Sequence, residues 1–202
     1  MDTLTVYADY VCPFCYLGRA SLAQYRESRE EPLEIEWHPF DLRGQHRAPD
    51  GSVDLDAATP DGDYMRQVEQ NVERLKSEYG ADEMLSVTEV PDVDSLDAQA
   101  VSLHVQSEAP EKWAAFDDAL YDALWIDGDP IDERGTLRDC AAAAGLDGEI
   151  VSDALDGGAR EAVRERFEAA KNEGITGVPT FVAGEHAARG AIPPEQFERL
   201  LG

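Results

Sequence analysis

The sequence predicts an α/β fold in which a strand–helix–strand unit and a later helix–strand–strand–helix unit are separated by a long helical stretch. Apolar and polar residues alternate in residues 4–8 and 33–38, which is typical of strands. From residue 64 to 158 apolar residues instead recur at helical spacing, and strand signals return only near residue 178. We therefore expect a sheet domain made of residues 1–62 and 158–202, interrupted by an all-helical insertion domain of residues 63–157.

The first unit places a ten-residue stretch, 9–18, at the junction between its strand and its helix. Pro13 suits the first position of a helix because its missing N–H would have no partner there. Strand, helix and strand in this order predict two parallel strands joined by a right-handed crossover. Residues 9–18 then lie at the carboxyl edge of the sheet, where ligands of open α/β sheets meet the protein.

Two cysteines, Cys12 and Cys15, stand in this junction with two residues between them. The first turn of a helix leaves N–H groups unpaired and carries a partial positive charge, which favours a thiolate. We therefore expect Cys12 to be an exposed nucleophile of lowered pKa. Cys15 falls one turn later on the same face, close enough to form a disulfide, and is expected to be the inner, resolving thiol.

Other uses of a cysteine pair stay open at this point. Half of a zinc site would look the same, but it needs two further ligands at suitable spacing, and the remaining candidates are isolated. These are Cys140, His38, His46, His104 and His186. A purely structural pair is the second alternative. We predict no metal site, and we expect Cys140, in a run of small residues, to be buried and inert.

For the rest of the chain, the sequence pattern predicts helices followed by a hairpin. A loop is expected from residue 40 to about 63, where glycine, proline and aspartate are frequent. Helices are expected near residues 64–79, after a capping Ser95, from about 110, and over 134–144, 147–155 and 158–172. A hairpin with Gly184 and Glu185 at its tip and a helix from residue 193 complete the chain.

Pro179 stands at the predicted start of a strand, where it cannot donate to the ladder. A cis peptide bond after Val178 would turn the chain there and expose the preceding backbone groups. An ordinary trans bond is the alternative. The nearby cysteine motif leads us to expect the cis isomer.

The composition is strongly acidic, with 43 Asp and Glu against 17 Lys and Arg and a formal net charge of −26. The acidic residues are spread along the whole chain, which predicts a solvated surface suited to a salt-rich, halophilic cytoplasm, where charge repulsion is screened. An acidic face that recruits a basic partner is the alternative. Nucleic-acid binding is not expected because no basic stripe is present.

Neither a membrane location nor export is expected. No apolar run approaches the roughly 20 residues of a membrane-spanning helix. The first residues, Met1 to Thr3, lack the charged and apolar regions of a secretory signal. We expect a cytoplasmic protein, and a reducing cytoplasm would keep Cys12 and Cys15 largely as thiols.

Four pieces of the sequence, in order, resemble the thioredoxin superfamily, and within it the DsbA family, whose thioredoxin fold is interrupted by a helical domain. The likeness is closest to the cytosolic FrnE-like branch and spans nearly the full chain. The pieces are DYVCPFCYLG at residues 9–18, WHPFDL at 37–42, GITGVPTF at 174–181 and GAIPPEQF at 190–197.

The resemblance implies thiol–disulfide exchange with protein disulfides or dithiols, acting as reductase or isomerase more than as oxidant. Cys12 would form a mixed disulfide that Cys15 resolves, and Pro13, Phe14 and Pro179 would tune the site. The backbone of Val178 would pair with the substrate chain, and we assign Tyr10 to substrate binding as well. The resemblance implies no cofactor beyond the redox-active disulfide, with a small thiol as a candidate electron donor.

Two other functions remain open from the sequence. Hydroxychromene carboxylate isomerases and kappa-class glutathione transferases resemble this topology, but they typically carry serine at the position of Cys12. A non-enzymatic holdase, binding peptides on the helical insertion, is the third possibility.

Overall fold

A computed structural model describes residues 2–58 and 62–202 and shows one four-stranded sheet in that part of the chain. The strand order is β2-β1-β3-β4. The strands are β1 (Asp2–Ala8), β2 (Leu33–Pro39), β3 (Thr180–Ala183) and β4 (His186–Arg189). The α/β class and the order of elements predicted from the sequence are confirmed.

Helices make up most of the remaining described chain. They are α1 (Pro13–Ser28), α2 (Leu55–Ala58), α3 (Gly62–Glu78), α4 (Leu96–Glu108), α5 (Pro110–Asp122), α6 (Arg134–Ala143), α7 (Glu149–Asp156), α8 (Ala159–Asn172) and α9 (Pro194–Leu201). A 3-10 turn, Gly44–His46, and a π-helical segment, Ala123–Asp127, are also present. Apart from α2, each helix lies where the apolar spacing predicts one.

The pairing of the strands determines which chain segments meet at the edge of the sheet. β1 and β2 are parallel, with Asp2 opposite Leu33 and Ala8 opposite Pro39. β1 and β3 are antiparallel, so the start of β3 lies beside the carboxyl end of β1. The residues that follow β1 and those that precede β3 therefore meet at one edge of the sheet. β3 and β4 form the expected hairpin, and Gly184 at its tip has a φ of +57°, a value that glycine adopts readily.

The segment after β2 is less irregular than the sequence suggests. A loop was expected from residue 40 to 63, yet the 3-10 turn and α2 lie within it, and α3 begins at Gly62. Residues 59–61 of this expected loop lie outside the described residues. Arg47 helps to order this segment: its Nε donates to Asp41 within the segment at 2.7 Å, and its Nη1 donates to Asp94, 47 residues later, at 2.7 Å. The contact with Asp94 leaves no local sequence pattern.

Ser95 precedes α4, as expected, but its side chain makes no capping hydrogen bond. The Ser95 hydroxyl accepts a hydrogen bond from Gln99 Nε2 at 2.9 Å and donates to the carboxylate of Asp9. The expectation of a side-chain cap is therefore wrong. The hydroxyl instead donates to a buried carboxylate, and a hydrogen bond to a charged acceptor is stronger than one between neutral groups.

The largest buried apolar cluster is continuous from the sheet into the helices. It includes Ala8, Cys15 and Trp37 on the sheet side and Phe116 and Leu137 on the helical side. A second cluster fills the space between the sheet and the helices α1 and α9. The division into domains at residues 62 and 158 stays a prediction, but the shared cluster means that the two parts pack on one another.

The surface carries the acidic charge in dispersed form. Ion pairs in the described chain join exposed side chains, such as Arg74 with Glu78, and partly buried ones, such as Arg160 with Asp97. Exposed pairs of this kind contribute at most about 1 kcal/mol each. In the described residues, we find no helix that combines the length and apolar character needed to cross a membrane.

Candidate active site

The two motif cysteines lie at the amino terminus of α1, directly after the carboxyl end of β1. Cys12 has extended backbone angles and precedes Pro13, the first helical residue. Its carbonyl accepts the first helical hydrogen bond, from the N–H of Cys15 at 3.0 Å. Neither cysteine forms a disulfide, so the structure corresponds to the reduced dithiol.

Cys12 is not exposed as the sequence analysis expects. Only 3% of the residue is accessible to solvent. Its sulfur lies 3.6 Å from the carbonyl oxygen of Val178, on the loop before β3, and donates a weak hydrogen bond to it. The expectation of an exposed thiol is corrected, because the loop that carries Val178 lies against the sulfur. The lowered pKa of Cys12 stays a prediction.

Cys12 nevertheless borders open space. A groove of about 500 Å³ runs beside it and is also lined by Pro13, Phe14 and Val178; we call it the Cys12 groove. Its further apolar lining includes Leu42, Tyr64, Met65, Val68, Val90 and Trp125. Leu42 and Tyr64 are the large apolar side chains that stay most exposed in the described chain, at 45% and 54%. A bound group can therefore reach Cys12 through an apolar passage.

Cys15 lies on the inner side of the motif. Burial raises its pKa well above the usual range, and both the hydrogen bond to Cys12 and the negative charge of a Cys12 thiolate raise it further. The Cys15 thiol therefore stays protonated at neutral pH, and removal of the charge on Cys12 takes away one of the causes that raise its pKa. This order of ionisation suits a second, resolving thiol.

The loop that carries Val178 is held in place on both sides. The Val178–Pro179 peptide bond is cis, and Pro179 is buried. The Pro179 carbonyl accepts from Gly190 N at 2.8 Å, and the Thr180 hydroxyl donates to the Gly177 carbonyl at 2.6 Å. The structure thus brings Pro179 and Val178 to the dithiol, although their predicted roles in tuning and substrate binding stay predictions.

Tyr10 does not lie where a substrate could contact it. The residue has no solvent exposure, and its hydroxyl makes hydrogen bonds with Ser102 at 2.7 Å and with Asp117 at 2.9 Å. Its carbonyl accepts from Trp125 Nε1 at 2.8 Å. The expectation that Tyr10 binds substrate is therefore corrected: it fastens the active-site turn to α4, α5 and the π-helical segment.

Asp9 is a residue of the site that the sequence analysis did not single out. Its carboxylate is 1% exposed and accepts from Val11 N at 3.3 Å and from Leu42 N at 2.9 Å. Burial raises its pKa to about 6, although these hydrogen bonds and one from Ser95 oppose the shift. Asp9 thereby connects the active-site turn with the loop after β2 and the start of α4. An acid placed between Ala8 and Tyr10 is the only local signal.

Two other residues considered in the sequence lie elsewhere. Cys140 is buried in α6, as expected, its sulfur is 3.5 Å from the Ala119 carbonyl oxygen, and burial raises its pKa to about 12. That the thiol is inert stays a prediction. His38 is half-buried on β2, and its ring packs against that of Tyr7 with the centroids 5.1 Å apart and the planes tilted by 34°. No group of three or more potential metal ligands occurs in residues 2–58 and 62–202.

Solved structures with this fold include several redox proteins. SCO1869 of Streptomyces coelicolor, described as a probable DsbA oxidoreductase, has a TM-score of 0.76 at 23% identity, with 100% of this chain and 88% of that chain covered. The cytosolic disulfide reductase DsbM of Pseudomonas aeruginosa has a TM-score of 0.63 at 20% identity, covering 99% and 92%. A 2-hydroxychromene-2-carboxylate isomerase has a TM-score of 0.72 at 21% identity, covering 98% and 93%. These likenesses establish the fold and leave the reaction open.

The sequence comparisons decide the family. YwbO of Bacillus subtilis is 28% identical over 204 residues, with 98% of this chain and 94% of YwbO covered. The family model described as the DSBA-like thioredoxin domain matches residues 3–202. The chain therefore belongs to the DSBA-like thioredoxin domain family.

Proposed function

We propose that this protein is a thiol–disulfide oxidoreductase that exchanges disulfides with protein substrates through Cys12 and Cys15, in the manner of the FrnE-like branch. The observation that carries the proposal is the position of Cys12. Its thiol stands at the amino terminus of α1, 3.6 Å from the Val178 carbonyl oxygen and at the wall of an open groove. A nucleophile has to be reached by its substrate, and the groove offers a substrate a way to this thiol.

The exchange proceeds in two steps. The Cys12 thiolate attacks one sulfur of a substrate disulfide, a mixed disulfide forms, and the other substrate sulfur leaves as a thiolate that takes up a proton. The Cys15 sulfur, after loss of its proton, then attacks the Cys12 sulfur and releases the second substrate thiol. The enzyme disulfide has formed, and two electrons have passed from enzyme to substrate.

The arrangement of Cys15 favours this order. While Cys12 is a thiolate, its charge and its hydrogen bond with Cys15 hold the Cys15 proton in place. Formation of the mixed disulfide removes the charge on Cys12, so ionisation of Cys15 becomes easier only when the resolving attack is needed. The second thiol is thus kept from reacting early.

Substrate recognition follows from the surroundings of Cys12. The backbone of Val178 is placed to pair with an extended substrate chain, a contact that provides affinity without selecting a sequence. The apolar groove suits an apolar side chain next to the substrate cysteine. Reduced enzyme is regenerated by a small thiol in this proposal, and DsbM, a protein of this fold, has been solved with glutathione.

We also propose a cytoplasmic location. The acidic composition suits a salt-rich cytoplasm, and in a reducing compartment the dithiol would act as a reductase or isomerase. Cell fractionation with an antibody to the protein tests this. Recovery with a secreted or envelope fraction would contradict it.

Insulin reduction and the refolding of scrambled ribonuclease test the proposed function. We expect Cys12→Ser to abolish both activities and Cys15→Ser to leave mixed disulfides unresolved. Cys140→Ser is the matched control, because it removes a thiol outside the site and should leave turnover unchanged. Wild-type turnover in both Cys12→Ser and Cys15→Ser would refute the enzyme assignment.

A non-redox isomerase or glutathione-transferase-like activity is the second candidate, supported by the likeness in fold to the hydroxychromene carboxylate isomerase. The free thiol pair weighs against it, because residue 12 of this chain is cysteine and its partner lies one turn away. Cys12→Ser discriminates: an isomerase of that kind would keep its activity with serine at residue 12. A holdase would likewise still protect clients from aggregation in Cys12→Ser.

A further inference from the structure

Tyr7 holds both ends of residues 174–179, which we call the Val178 loop. Its backbone lies opposite Thr180 in the antiparallel pair of β1 and β3, so the sheet fixes the carboxyl end of the loop. Its hydroxyl donates to the carboxylate of Glu173, the residue that follows α8 and precedes the loop. The two ends of the Val178 loop therefore depend on one residue of β1.

Packing supports the Val178 loop incompletely. Ile175 and Val178 pack against the small buried cluster that contains Tyr7. However, a hollow of about 360 Å³ also borders the loop, and Glu173 and residues 174–176 form part of its lining. Packing alone therefore leaves the start of the loop room to shift, and the hydrogen bond from Tyr7 to Glu173 limits that movement.

This hydrogen bond joins a buried donor to a charged acceptor. Tyr7 is only 4% exposed, and a carboxylate binds a donor more strongly than a neutral oxygen does. Burial, followed by the hydrogen bond and the charge of Glu173, raises the pKa of Tyr7 to about 12. The hydroxyl therefore remains a donor throughout the neutral pH range.

Movement of the Val178 loop would change the geometry at the reactive sulfur. β1 leads from Tyr7 into the turn that carries Cys12, and the loop places the Val178 carbonyl oxygen 3.6 Å from the Cys12 sulfur. The bond between Tyr7 and Glu173 thus ties together the two chain segments that set this distance. An extended peptide can pair with the Val178 backbone, whereas a small disulfide without peptide groups cannot.

We propose that Tyr7 and Glu173 are positioning residues, which hold the Val178 backbone where an extended protein client pairs with it while Cys12 attacks the client disulfide. The inference rests on the proposed function and adds to it the residues that favour protein clients over small disulfides. Both residues act through the Val178 loop and take no part in the transfer of electrons.

The test compares Tyr7→Phe with the wild type on two substrates at high KCl. Insulin is the protein client, and its reduction by enzyme that dithiothreitol regenerates gives KM and kcat. Hydroxyethyl disulfide has no peptide group, so its rate constant for a single oxidation of the reduced enzyme reports on the dithiol alone. We expect Tyr7→Phe to raise the KM for insulin by about tenfold, with kcat within about threefold and the hydroxyethyl disulfide rate constant within about twofold.

Glu173 provides further variants that separate positioning from a general structural effect. Glu173→Ala should reproduce the effect of Tyr7→Phe, and the double variant should be no worse than either single variant, because the two side chains act as one unit. Glu173→Gln keeps an oxygen that accepts the hydrogen bond, so its KM for insulin should stay within about threefold of the wild type.

Tyr25→Phe is the matched control. Tyr25 is 7% exposed, and its hydroxyl also pairs with a charged group, accepting from Arg29 Nη1 at 2.7 Å. It belongs to α1 and to the second buried cluster, whereas Tyr7 belongs to the cluster under the Val178 loop. Tyr25→Phe should leave the kinetics of both substrates unchanged.

Three outcomes would overturn the inference: an unchanged KM for insulin in Tyr7→Phe, a loss of rate by the same factor with insulin and hydroxyethyl disulfide, or an equal effect of Tyr25→Phe. In each case insulin reduction that depends on Cys12 would still support the proposed function. A wild-type protein that exchanges with neither substrate would instead refute the proposed function, and this inference with it.

Discussion

Gly18 lies against Pro179, so closely that a methyl group at residue 18 would be 3.2 Å from the Pro179 Cγ and 3.1 Å from the Phe181 Cζ. Gly18 belongs to α1, and Pro179 to the loop that brings Val178 to Cys12. The missing side chain therefore permits the contact between the helix and the loop on which the site depends.

We predict that Gly18→Ala lowers both activity and stability. Alanine favours a helix interior by about 1 kcal/mol over glycine, but overpacking against buried side chains costs about 1–3 kcal/mol, so the net change is destabilising. Movement of the loop away from Cys12 should lower insulin reduction by about fivefold or more.

Gly135→Ala is the control for this prediction, because an added methyl in α6 would meet nothing within 4 Å. It should stabilise the protein slightly and leave activity unchanged. Denaturant unfolding and turnover of both variants provide the measurement, and a stabilised, fully active Gly18→Ala would contradict the packing argument.

The raised pKa of Asp9 leads us to predict a specific pH dependence of stability. Its pKa is about 6 in the folded protein against 3.8 for the ordinary group, so the folded state binds the proton more tightly than the unfolded state. Stability from this group is present below about pH 4, falls as the pH rises, and is lost above about pH 6. The full change is about 3 kcal/mol.

Asp9→Asn should remove this dependence. We expect the free energy of unfolding of the wild type, relative to Asp9→Asn, to fall by up to about 3 kcal/mol between pH 4 and pH 7. Urea unfolding at several pH values measures the difference, which cancels the other acids of the chain. A difference that stays constant across this range would show that burial does not raise the pKa of Asp9 in the folded protein.

Tyr10 provides a third prediction. The Tyr10 hydroxyl makes hydrogen bonds with Ser102 and Asp117 in the interior. Tyr10→Phe should therefore lower the free energy of unfolding by about 1–3 kcal/mol, while both motif cysteines stay in place. A double-mutant cycle with Ser102→Ala isolates the hydrogen bond between the two hydroxyls. Unchanged stability in Tyr10→Phe, together with a loss of substrate affinity, would restore the role in substrate binding that its burial argues against.

The acidic surface predicts that stability depends on salt. Raising KCl from about 0.1 M to 1 M shortens the Debye length from about 10 Å to 3 Å, which screens the repulsion of a chain with a net charge of −26. We expect the midpoint of thermal unfolding to rise, with most of the gain below about 1 M. A flat response, or one that only begins at higher salt, would argue against screening as the cause.

The elements of the fold were predictable because their signals are local. The alternation in β1 and β2, the helical spacing after residue 64 and the glycine at the tip of the β3–β4 hairpin each lie within one segment. The cysteine motif and Pro179 could be placed at one sheet edge because the order of strands determines which ends meet.

The surroundings of the dithiol could not be predicted in the same way. Cys12 was expected to be exposed, but it is covered by a loop 166 residues away in sequence. Tyr10 was assigned to substrate binding and Asp9 was not singled out, yet their partners come from α4, α5 and the loop after β2. Burial of this kind depends on long-range packing, and a single sequence does not show which distant residues pack together.

The central claim is that the Cys12 sulfur is the nucleophile and that Cys15 resolves its mixed disulfide. Mass spectrometry of Cys15→Ser, mixed with oxidised insulin or hydroxyethyl disulfide, tests it most directly. We predict a stable adduct on Cys12 alone, absent from Cys12→Ser and unaffected by Cys140→Ser. An adduct on Cys140, or no adduct on Cys12 while disulfide exchange continues, would contradict the account.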